Sequence, residues 1–301
     1  MATDYFKYDV YKAEWEGTLA DPERAKVAYT WLDPGTLDAW RHERMRRPVG
    51  CIVRSDPDAS WLTVGDGRFG TDAHYLLEAG AKNVHCTDIS DALLAVGNQR
   101  KFIGPYSAEN AECLSFADSS FDYVYCKESL HHFPRPYLAL YEMFRVARRA
   151  VVLTEPRDKI LDRAPLKFLV SIAEFLLRRP RHRHAFEESG NYLYGFSERE
   201  LEKFMLGLFH ETIASIGCND VYIPGVEFVR MDSTRAEDKR MRTRLMRQVR
   251  VKDFLCGVGL MRPSLITAAL FKEGPSAPLM QALEAGGWKV RKLPSNPYLG
   301  R

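Results

Sequence analysis

Short apolar runs alternate with amphipathic segments across the middle of the chain. The clearest runs are 61–64, 83–87 and 150–154. Between them, apolar residues recur at helical spacing, as in the segment 71–79. Alternation of this kind is typical of βαβ units stacked into a parallel sheet. The pattern therefore predicts an α/β fold with a doubly wound, mostly parallel sheet.

The segments on either side of this core have mainly helical patterns. Asp-Pro pairs precede two predicted helices, Glu23 to Leu32 and Thr36 to Arg46. Ser197, with Glu200 three residues on, predicts a capping box that opens a helix ending near Leu208. The other predicted elements are a helix at 166–177, a sixth strand at 211–217, a strand-like piece at 221–223, a basic helix at 230–250, a closing strand at 264–271 and an irregular tail at 288–301.

A glycine triplet follows the first apolar run. Gly65, Gly67 and Gly70 have the spacing GxGxxG. Glycine suits a tight turn there, and its missing Cβ lets a cofactor approach the main chain. The second apolar run ends in Asp88, about 20 residues further on, where an acid accepts hydrogen bonds from ribose hydroxyls. The pattern predicts a nucleotide-containing cofactor, and both NAD and S-adenosylmethionine sites share it.

Later motifs separate these two cofactors. Ser-Phe-Asp at 120–122 introduces the fourth strand, and His-His-Phe at 131–133 follows it. A helix with Glu142 and Arg145 then leads to a strand that closes with Glu155-Pro156. This succession resembles the class I S-adenosylmethionine-dependent methyltransferases, in particular their small-molecule branch. The resemblance implies a Rossmann-like methyltransferase fold with a seven-stranded sheet and helical cap insertions.

The resemblance also implies which residues bind S-adenosylmethionine, with S-adenosylhomocysteine as the product. The glycine turn would lie along the methionine part of the cofactor, and the acid after the second strand would bind the ribose. The next residue would lie against the adenine, and two later ones would lie near its amino group. Main-chain carbonyls after the fourth strand would meet the cofactor's amino group. These residues are Gly65, Asp66, Gly67, Asp88, Ile89, Asn110, Ala111, Cys126 and Lys127.

Several positions depart from the family pattern. Thr63 replaces an acid common in the first strand, Phe69 falls where a third close glycine is usual, and Asn110 replaces an acid. Each could weaken or reorient cofactor binding. They motivate an alternative hypothesis in which the fold is a non-catalytic binding module. Arg149-Ala150 replaces a Gly-Gly turn, which affects only a loop.

The sequence divides into four predicted segments. These are an N-terminal helical cap (1–55), a cofactor-binding core (56–156), a substrate cap that includes the sixth strand (157–262), and a closing strand with a C-terminal tail (263–301). The first segment is rich in aromatic residues and also carries Arg41, His42, Arg44 and Arg47, which could reach the cofactor carboxylate or an anionic substrate. A solvated basic helix face is the simpler interpretation.

Histidines at the carboxyl edge of the sheet are the first candidates for a general base. Histidine is matched to neutral pH, and His132, then His131, follow the fourth strand. A shared structural role of the His-His-Phe turn is the competing interpretation. Glu128 and, from the substrate cap, His184 or Tyr192 are the other candidates for the base. Methyl transfer needs no metal, so we expect none. The predicted substrate contacts are Arg44, His184, Asn191, Tyr192 and Tyr194.

Composition narrows the partners. The net charge is +3, and the six cysteines show no CxxC spacing. Global charge therefore does not demand nucleic acid, and the thiols indicate a reducing compartment. The start lacks the layout of a signal peptide, and no apolar stretch is long enough to span a bilayer. We expect a cytoplasmic protein, and the sequence leaves a homodimer open.

Two basic segments keep other partners open. The helix at 166–177 is apolar and ends in the basic run 178–184, so it either packs on the core or lies on a membrane surface. In the basic helix at 230–250, Met241, Leu245 and Val249 fall four apart, which predicts one docked face and one basic face. Phosphate of a substrate or of RNA could bind such a face.

The preferred hypothesis is a methyltransferase that acts on a small or medium polar molecule by in-line transfer. A hydroxyl of a sugar or glycan precursor is slightly favoured, because the aromatic and basic cap suggests an enclosed site. The alternatives are an RNA methyltransferase that uses 178–184 and 230–250, and the non-catalytic binding module. Dinucleotide-dependent oxidoreduction is a distant fourth, since the Ser-Phe-Asp and His-His-Phe motifs have no role in it.

Overall fold

A single eight-stranded sheet organises the fold. The computed structural model describes residues 8–158, 165–177, 186 and 192–298. The strands lie in the order β3-β2-β1-β4-β5-β7-β6-β8. Their bounds are β1 Ser60–Val64, β2 Asn83–Asp88, β3 Tyr106–Ala108, β4 Phe121–Lys127, β5 Ala147–Pro156, β6 Thr212–Cys218, β7 Leu265–Phe271 and β8 Lys289–Lys292.

Most of the sheet is parallel. Strands β1 to β5 pair in parallel, whereas β7 runs antiparallel to both β5 and β6. The terminal strand β8 pairs antiparallel with β6, with Ala214 opposite Val290. The doubly wound, mostly parallel α/β fold predicted from the apolar pattern is confirmed, as are the sixth and closing strands.

The strand count exceeds the prediction by one. The sequence predicted an irregular tail at 288–301. That prediction was wrong for residues 289–292, which form strand β8. Trp288 is buried and packs with Leu279 and Leu283 in the core, so it anchors the chain beside β6. The strand has four residues, of which three are cations and only Val290 is apolar and packs on the core. One apolar residue among three cations does not produce the apolar pattern that predicts a strand.

Helices cover both faces of the sheet and its carboxyl edge. Many predicted helix starts are confirmed by their caps: Asp21 and Thr36 accept backbone N–H groups, and Ser197 forms a capping box with Glu200. The helices are α1 Tyr8–Glu16, α2 Pro22–Thr30, α3 Leu37–Arg46, α4 Gly50–Ser55, α5 Thr71–Glu78, α6 Ala92–Gln99, α7 Pro136–Val146, α8 Pro165–Leu176, α9 Glu198–Gly207, α10 Ala236–Gly257 and α11 Ala277–Ala285.

Two apolar clusters form the core, one on each face of the sheet. Residues of α7 and α9 pack on one face, around Phe144 and Phe204. Residues of α4, α5 and α11 pack on the other, around Ile52, Leu76 and Leu283. Burial on both faces explains why the central strands are apolar throughout, as is usual for parallel sheets.

A third cluster docks the long helix α10 on α3. Leu245 and Val249 are buried against Leu37 and Val226, with Met241 partly buried beside them. The docked face predicted from residues four apart is therefore confirmed. The strand-like piece at 221–223 forms no strand, because its residues serve this cluster instead of the sheet.

Helix α8 presents apolar side chains to solvent. Phe168, Leu169, Ile172 and Leu176 are each exposed over two fifths or more of their surface. The sequence favoured packing of this helix on the core, and these four side chains do not follow that prediction. No helix in the described ranges is long and apolar enough to cross a bilayer.

Candidate active site

A cavity of about 730 Å³ lies at the carboxyl ends of β1, β2 and β4. Open α/β sheets bind their ligands at this edge. Its floor contains all but one of the nine residues predicted to bind the cofactor, and its cover comes from α1 and α2. The predicted residues that line it are Gly65, Asp66, Gly67, Asp88, Ile89, Asn110, Ala111 and Lys127.

The glycine turn brings the main chain against the acid that follows β2. Gly65 and Gly70 have φ values of 72° and 79°, which side chains rarely adopt. A Cβ atom on Gly67 would lie 2.9 Å from Asp88 Oδ2, closer than contact permits. Gly67 therefore lets the Asp88 carboxylate reach the cavity wall, as a ribose-binding acid requires.

Burial sets the charge state of Asp88. Only 6% of the residue is exposed, and this burial raises its pKa to about 7, although backbone N–H groups of Ser90, Ile89 and Gly67 oppose the rise. The Ser90 N–H is 3.3 Å from Oδ1. Hydroxyl donors from a ribose would offset the desolvation of the carboxylate. This buried acceptor at a glycine turn fits an adenosyl cofactor.

Asp66 lines the cavity and also has a structural role within the protein. Its carboxylate accepts hydrogen bonds from Asp72 N–H at 3.0 Å and Ala73 N–H at 2.8 Å, so it caps α5. Thr63 Oγ1 donates to it at 3.0 Å. Burial, and then the nearby Asp72, raise the pKa of Asp66 to about 7. The side chain is thus engaged within the protein, and Thr63, which departs from the family pattern, supports the cap.

Phe69, the second departure, anchors the cap helices. Its φ of 57° places it in the left-handed region, and its side chain is fully buried. The ring stacks on Tyr29 at 5.9 Å between centroids and contacts Trp31 edge-on at 6.3 Å. An aromatic residue here therefore joins the glycine turn to α2 instead of narrowing the cavity.

Asn110, the third departure, shapes the loop near the predicted adenine site. Its Oδ1 accepts a hydrogen bond from the Glu112 N–H at 2.9 Å, and Asn110 forms a β-bridge with Cys113. The side chain thereby holds Ala111 at the cavity wall. A carboxylate could make the same loop contact, so the amide does not disrupt the site.

Cys126 and Lys127, at the end of β4, have different positions relative to the cavity. Cys126 is fully buried, does not line the cavity, and has its thiol 3.9 Å from Glu155 Oε1. Lys127 does line it, and its Nζ lies 3.1 Å from His42 Nδ1 and 3.6 Å from Asp72 Oδ1. The lysine side chain therefore contributes to the site, whereas the resemblance implied only a main-chain role.

His42 is a site residue whose position the sequence left open. It is buried on α3, and burial followed by the charge of Lys127 lowers its pKa well below the usual value. Its Nε2 is 2.9 Å from Arg68 Nη1. A neutral imidazole has one donor and one acceptor nitrogen, so it can satisfy only one of these two cations. Arg68 is the more exposed partner and the one able to turn toward a ligand.

A buried ion pair ties this region to α5. Arg46, on α3, binds the Asp72 carboxylate through Nε and the Thr71 hydroxyl through Nη2. Both charged side chains are almost fully buried. The pair fixes α3 against the cavity floor. Arg41, by contrast, binds Asp38 and Asp220 and does not line the cavity.

The two adjacent histidines have different surroundings. His131 Nδ1 lies 2.6 Å from Glu155 Oε2, and the other oxygen of this buried carboxylate accepts the Leu130 N–H at 3.0 Å. His132 lines the cavity beside Phe133, whereas His131 does not. The geometry therefore brings only His132 to the place where an acceptor could bind. A general-base role for either residue stays a prediction.

Residues of α1 and α2 form the cover. The Tyr8 hydroxyl donates to Glu112 Oε2, and Arg135 binds both groups, with Nη2 2.8 Å from the Tyr8 oxygen. This contact fastens α1 across the cavity. The aromatic density of the first 55 residues is the sequence signal for it. The lining side chains from these helices are Tyr8, Tyr11, Glu14, Trp15, Thr18, Glu23, Arg24, Val27 and Trp31.

Three of the predicted substrate contacts, Arg44, Tyr192 and Tyr194, are not among the residues that line this cavity. Arg44 points to α10 instead, where Nη1 binds the Asn219 carbonyl at 2.8 Å and Nη2 binds Asp253 at 3.2 Å. Tyr192 and Tyr194 pack edge-on against each other, 5.1 Å between centroids, and the Tyr194 N–H donates to the His131 carbonyl at 3.1 Å. His184 and Asn191 lie outside the described residues.

Strand order, the antiparallel β7 and the site at the glycine turn define a Rossmann-like methyltransferase fold. Residues 62–153 match the model of the methyltransferase domain family. This match agrees with the class I S-adenosylmethionine-dependent type that the motifs of the sequence resemble.

Two curated relatives are similar to part of the chain. The ubiquinone/menaquinone biosynthesis C-methyltransferase UbiE of Methylobacterium nodulans is 40% identical over 87 residues, which are 27% of this chain and 34% of that protein. The demethylmenaquinone methyltransferase of Renibacterium salmoninarum is 36% identical over 112 residues, 37% of this chain and 46% of that protein. The matches thus span about a third to a half of these relatives.

Solved structures show similarity over a larger share of the chain. The YcgJ protein from Bacillus subtilis has 18% sequence identity and a TM-score of 0.46, covering 76% of this chain and 99% of its own.

Proposed function

We propose that this protein is an S-adenosylmethionine-dependent methyltransferase that acts on a small molecule. One observation carries the proposal: a single cavity joins the glycine turn and Asp88 to an aromatic cover from α1 and α2. A methyltransferase must hold cofactor and acceptor together and exclude water from both. A cavity that is continuous between the two regions supports this requirement.

The residues present fit the cofactor. Gly65 and Gly67 would face its methionine part, Asp88 its ribose and Ile89 its adenine, while Arg68 and Lys127 are the cations available to its carboxylate. When bound, S-adenosylmethionine supplies an activated methyl group on a sulfonium. The protein then has to orient the acceptor in line with that group.

His132 is the base that we propose for a hydroxyl acceptor. It lines the cavity, whereas Glu155 engages its neighbour His131. Proton removal by a positioned histidine contributes roughly 10² to 10⁴ in rate. His132→Gln should therefore lower the turnover of a hydroxyl acceptor while leaving product binding unchanged. An acceptor carbon or an already ionised oxygen would not require this base to the same degree.

The acceptor is proposed in two forms. A hydroxyl of a sugar or glycan precursor is the form that the sequence favours, and the aromatic faces of Tyr11 and Trp15 suit packing on a sugar ring. A quinone-type ring is the second form, because the names of both curated relatives refer to ubiquinone or menaquinone compounds. The same apolar faces would stack on such a ring.

Calorimetric titration with S-adenosylhomocysteine tests the cofactor first, with NAD as the competing ligand. Asp88→Ala should weaken binding of the adenosyl ligand at least tenfold, because buried charge-assisted hydrogen bonds contribute about 1.5–3 kcal/mol. Asp58→Ala, which removes an exposed carboxylate, is the matched control. Binding of NAD in place of S-adenosylhomocysteine would refute the proposal. Radiolabelled methyl transfer to sugar and quinol panels then identifies the acceptor.

A further inference from the structure

The outward side of α10 carries a continuous stripe of six residues. These residues follow one another at alternating intervals of four and three, so they share one side of the helix. The side opposite holds the buried Leu245 and Val249. The stripe consists of Arg240, Arg244, Arg247, Val251, Phe254 and Val258.

This stripe changes character along the helix. Its first half is three exposed arginines, and its second half is three exposed apolar residues, of which Phe254 is 67% exposed. The acidic residues of α10 do not neutralise the arginines: Glu237 and Asp238 lie in the first turn, and Asp253 binds Arg44 and Asn219. The stripe therefore has a cationic band, Arg240 to Arg247, followed toward the end of the helix by an apolar tip, Val251 to Val258.

A second exposed apolar element follows β5 in the chain. Helix α10 leads into β7, whose first residue, Leu265, pairs with Pro156 at the end of β5. Helix α8 is the next helix after β5, and it exposes Phe168, Leu169 and Ile172. The end of β5, which precedes α8 in the chain, and the start of β7, which follows α10, therefore meet at the carboxyl edge, where the active-site cavity also lies.

We propose that this edge of the protein docks on an anionic phospholipid bilayer. The apolar tip of α10, together with the exposed apolar side chains of α8, would enter the interface, while the three arginines meet lipid phosphates. Arg247 and Phe254 are about 10 Å apart along the helix axis. Apolar groups of surface-bound helices sink roughly 5–10 Å into the headgroup boundary, so both halves of the stripe can be satisfied together.

Charge favours a bilayer over a second copy of this chain. A copy that met the stripe through the same patch would bring arginines against arginines, which costs free energy at an interface. Anionic headgroups, in contrast, offer mobile negative charge to all three arginines at once. The proposal is independent of the methyl-transfer chemistry, since it uses no cavity residue.

Vesicle sedimentation tests the proposal. The full-length protein is mixed with phosphatidylcholine vesicles that contain either no anionic lipid or a quarter phosphatidylserine. We expect binding to the second kind, reduced by salt. Arg244→Gln with Arg247→Gln should lower partitioning about fivefold per arginine. Phe254→Ser should lower it by about tenfold or more, since the ring loses its burial.

Controls separate docking from general apolar exposure. Phe209→Ser removes a ring that is 59% exposed at the opposite edge of the sheet, just before β6, and should leave binding unchanged. Unfolding temperatures of all variants should match, because every altered side chain is exposed. Equal loss with Phe209→Ser would overturn the proposal. Absence of vesicle binding would also overturn it. In that case, loss of dimers in ultracentrifugation of Phe254→Ser would assign the stripe to a second copy of the chain, and loss of RNA binding in the arginine variants would assign it to RNA.

Discussion

Lowering the pH from 8 to 6 should weaken binding of S-adenosylhomocysteine about tenfold. The titrating group is Asp88, whose burial raises its pKa to about 7. With that pKa, the carboxylate is about nine-tenths ionised at pH 8 and one-tenth ionised at pH 6. Protonation removes acceptor capacity that the ribose hydroxyls would use. The tenfold loss corresponds to about 1.4 kcal/mol of binding free energy.

The stability of the ligand-free protein should move in the opposite direction. The pKa of Asp88 is higher in the folded chain than its ordinary value of 3.8, so the folded state takes up a proton that the unfolded state does not. The free energy of unfolding should therefore rise, through this residue, as the pH falls from about 7 toward 4. Through Asp88, acidification thus raises the free energy of unfolding of the ligand-free protein while it weakens the binding of S-adenosylhomocysteine.

Calorimetric titration at pH 6, 7 and 8, at constant ionic strength, measures the first effect. Asp88→Asn should bind weakly at every pH and lose most of the pH dependence. Any dependence that remains in this variant belongs to Asp66, whose pKa is also raised to about 7. Identical slopes for wild type and Asp88→Asn would refute the assignment, as would tighter wild-type binding at pH 6.

Three further outcomes follow from contacts around the cavity. Gly67→Ala should fold normally yet weaken S-adenosylhomocysteine binding roughly tenfold or more, because the new Cβ displaces the ribose-binding carboxylate. Gly104→Ala is the control and should bind as the wild type does, because its new Cβ would have its nearest neighbour at 3.8 Å. Arg46→Leu should lower the urea-derived unfolding free energy by about 3 kcal/mol, because Asp72 loses its hydrogen-bonded buried partner and keeps only Lys127, 3.6 Å away. A loss below 1 kcal/mol would show the pair to be dispensable. Tyr8→Phe should raise the ligand dissociation rate in stopped-flow fluorescence without a change in unfolding temperature; unchanged dissociation would mean that α1 does not control release.

The central strands and the floor of the cavity could be predicted because local signals agree there. Each of two features, the glycine turn and Asp88, directly follows an apolar run, so its signal lies in neighbours close in sequence. Strand β2 was predicted at 83–87 and spans Asn83–Asp88. Ser197 and Glu200 form their box within a single turn of helix. Such features need no knowledge of distant contacts.

The sequence predicted a helical cap at 1–55, but the contacts that hold this cover in place could not be predicted, because they join distant segments. Tyr8 meets Glu112, and His42 meets Lys127, across most of the cofactor-binding core. The orientation of Asp66 likewise depends on where α5 begins relative to β1. Arg44 shows the converse: its basic character suggested a ligand, yet Asn219 and Asp253 are its partners.

The two margins of the sheet restrict how copies of this protein can assemble. One margin is β3, with three residues, and the other is β8, with Lys289, Arg291 and Lys292. A very short margin such as β3 and a short, charged margin such as β8 both resist the addition of a foreign strand, a common route to aggregation. A homodimer would therefore have to form through helices or loops, and association by continuous β-pairing, including fibril growth, is disfavoured from both sides.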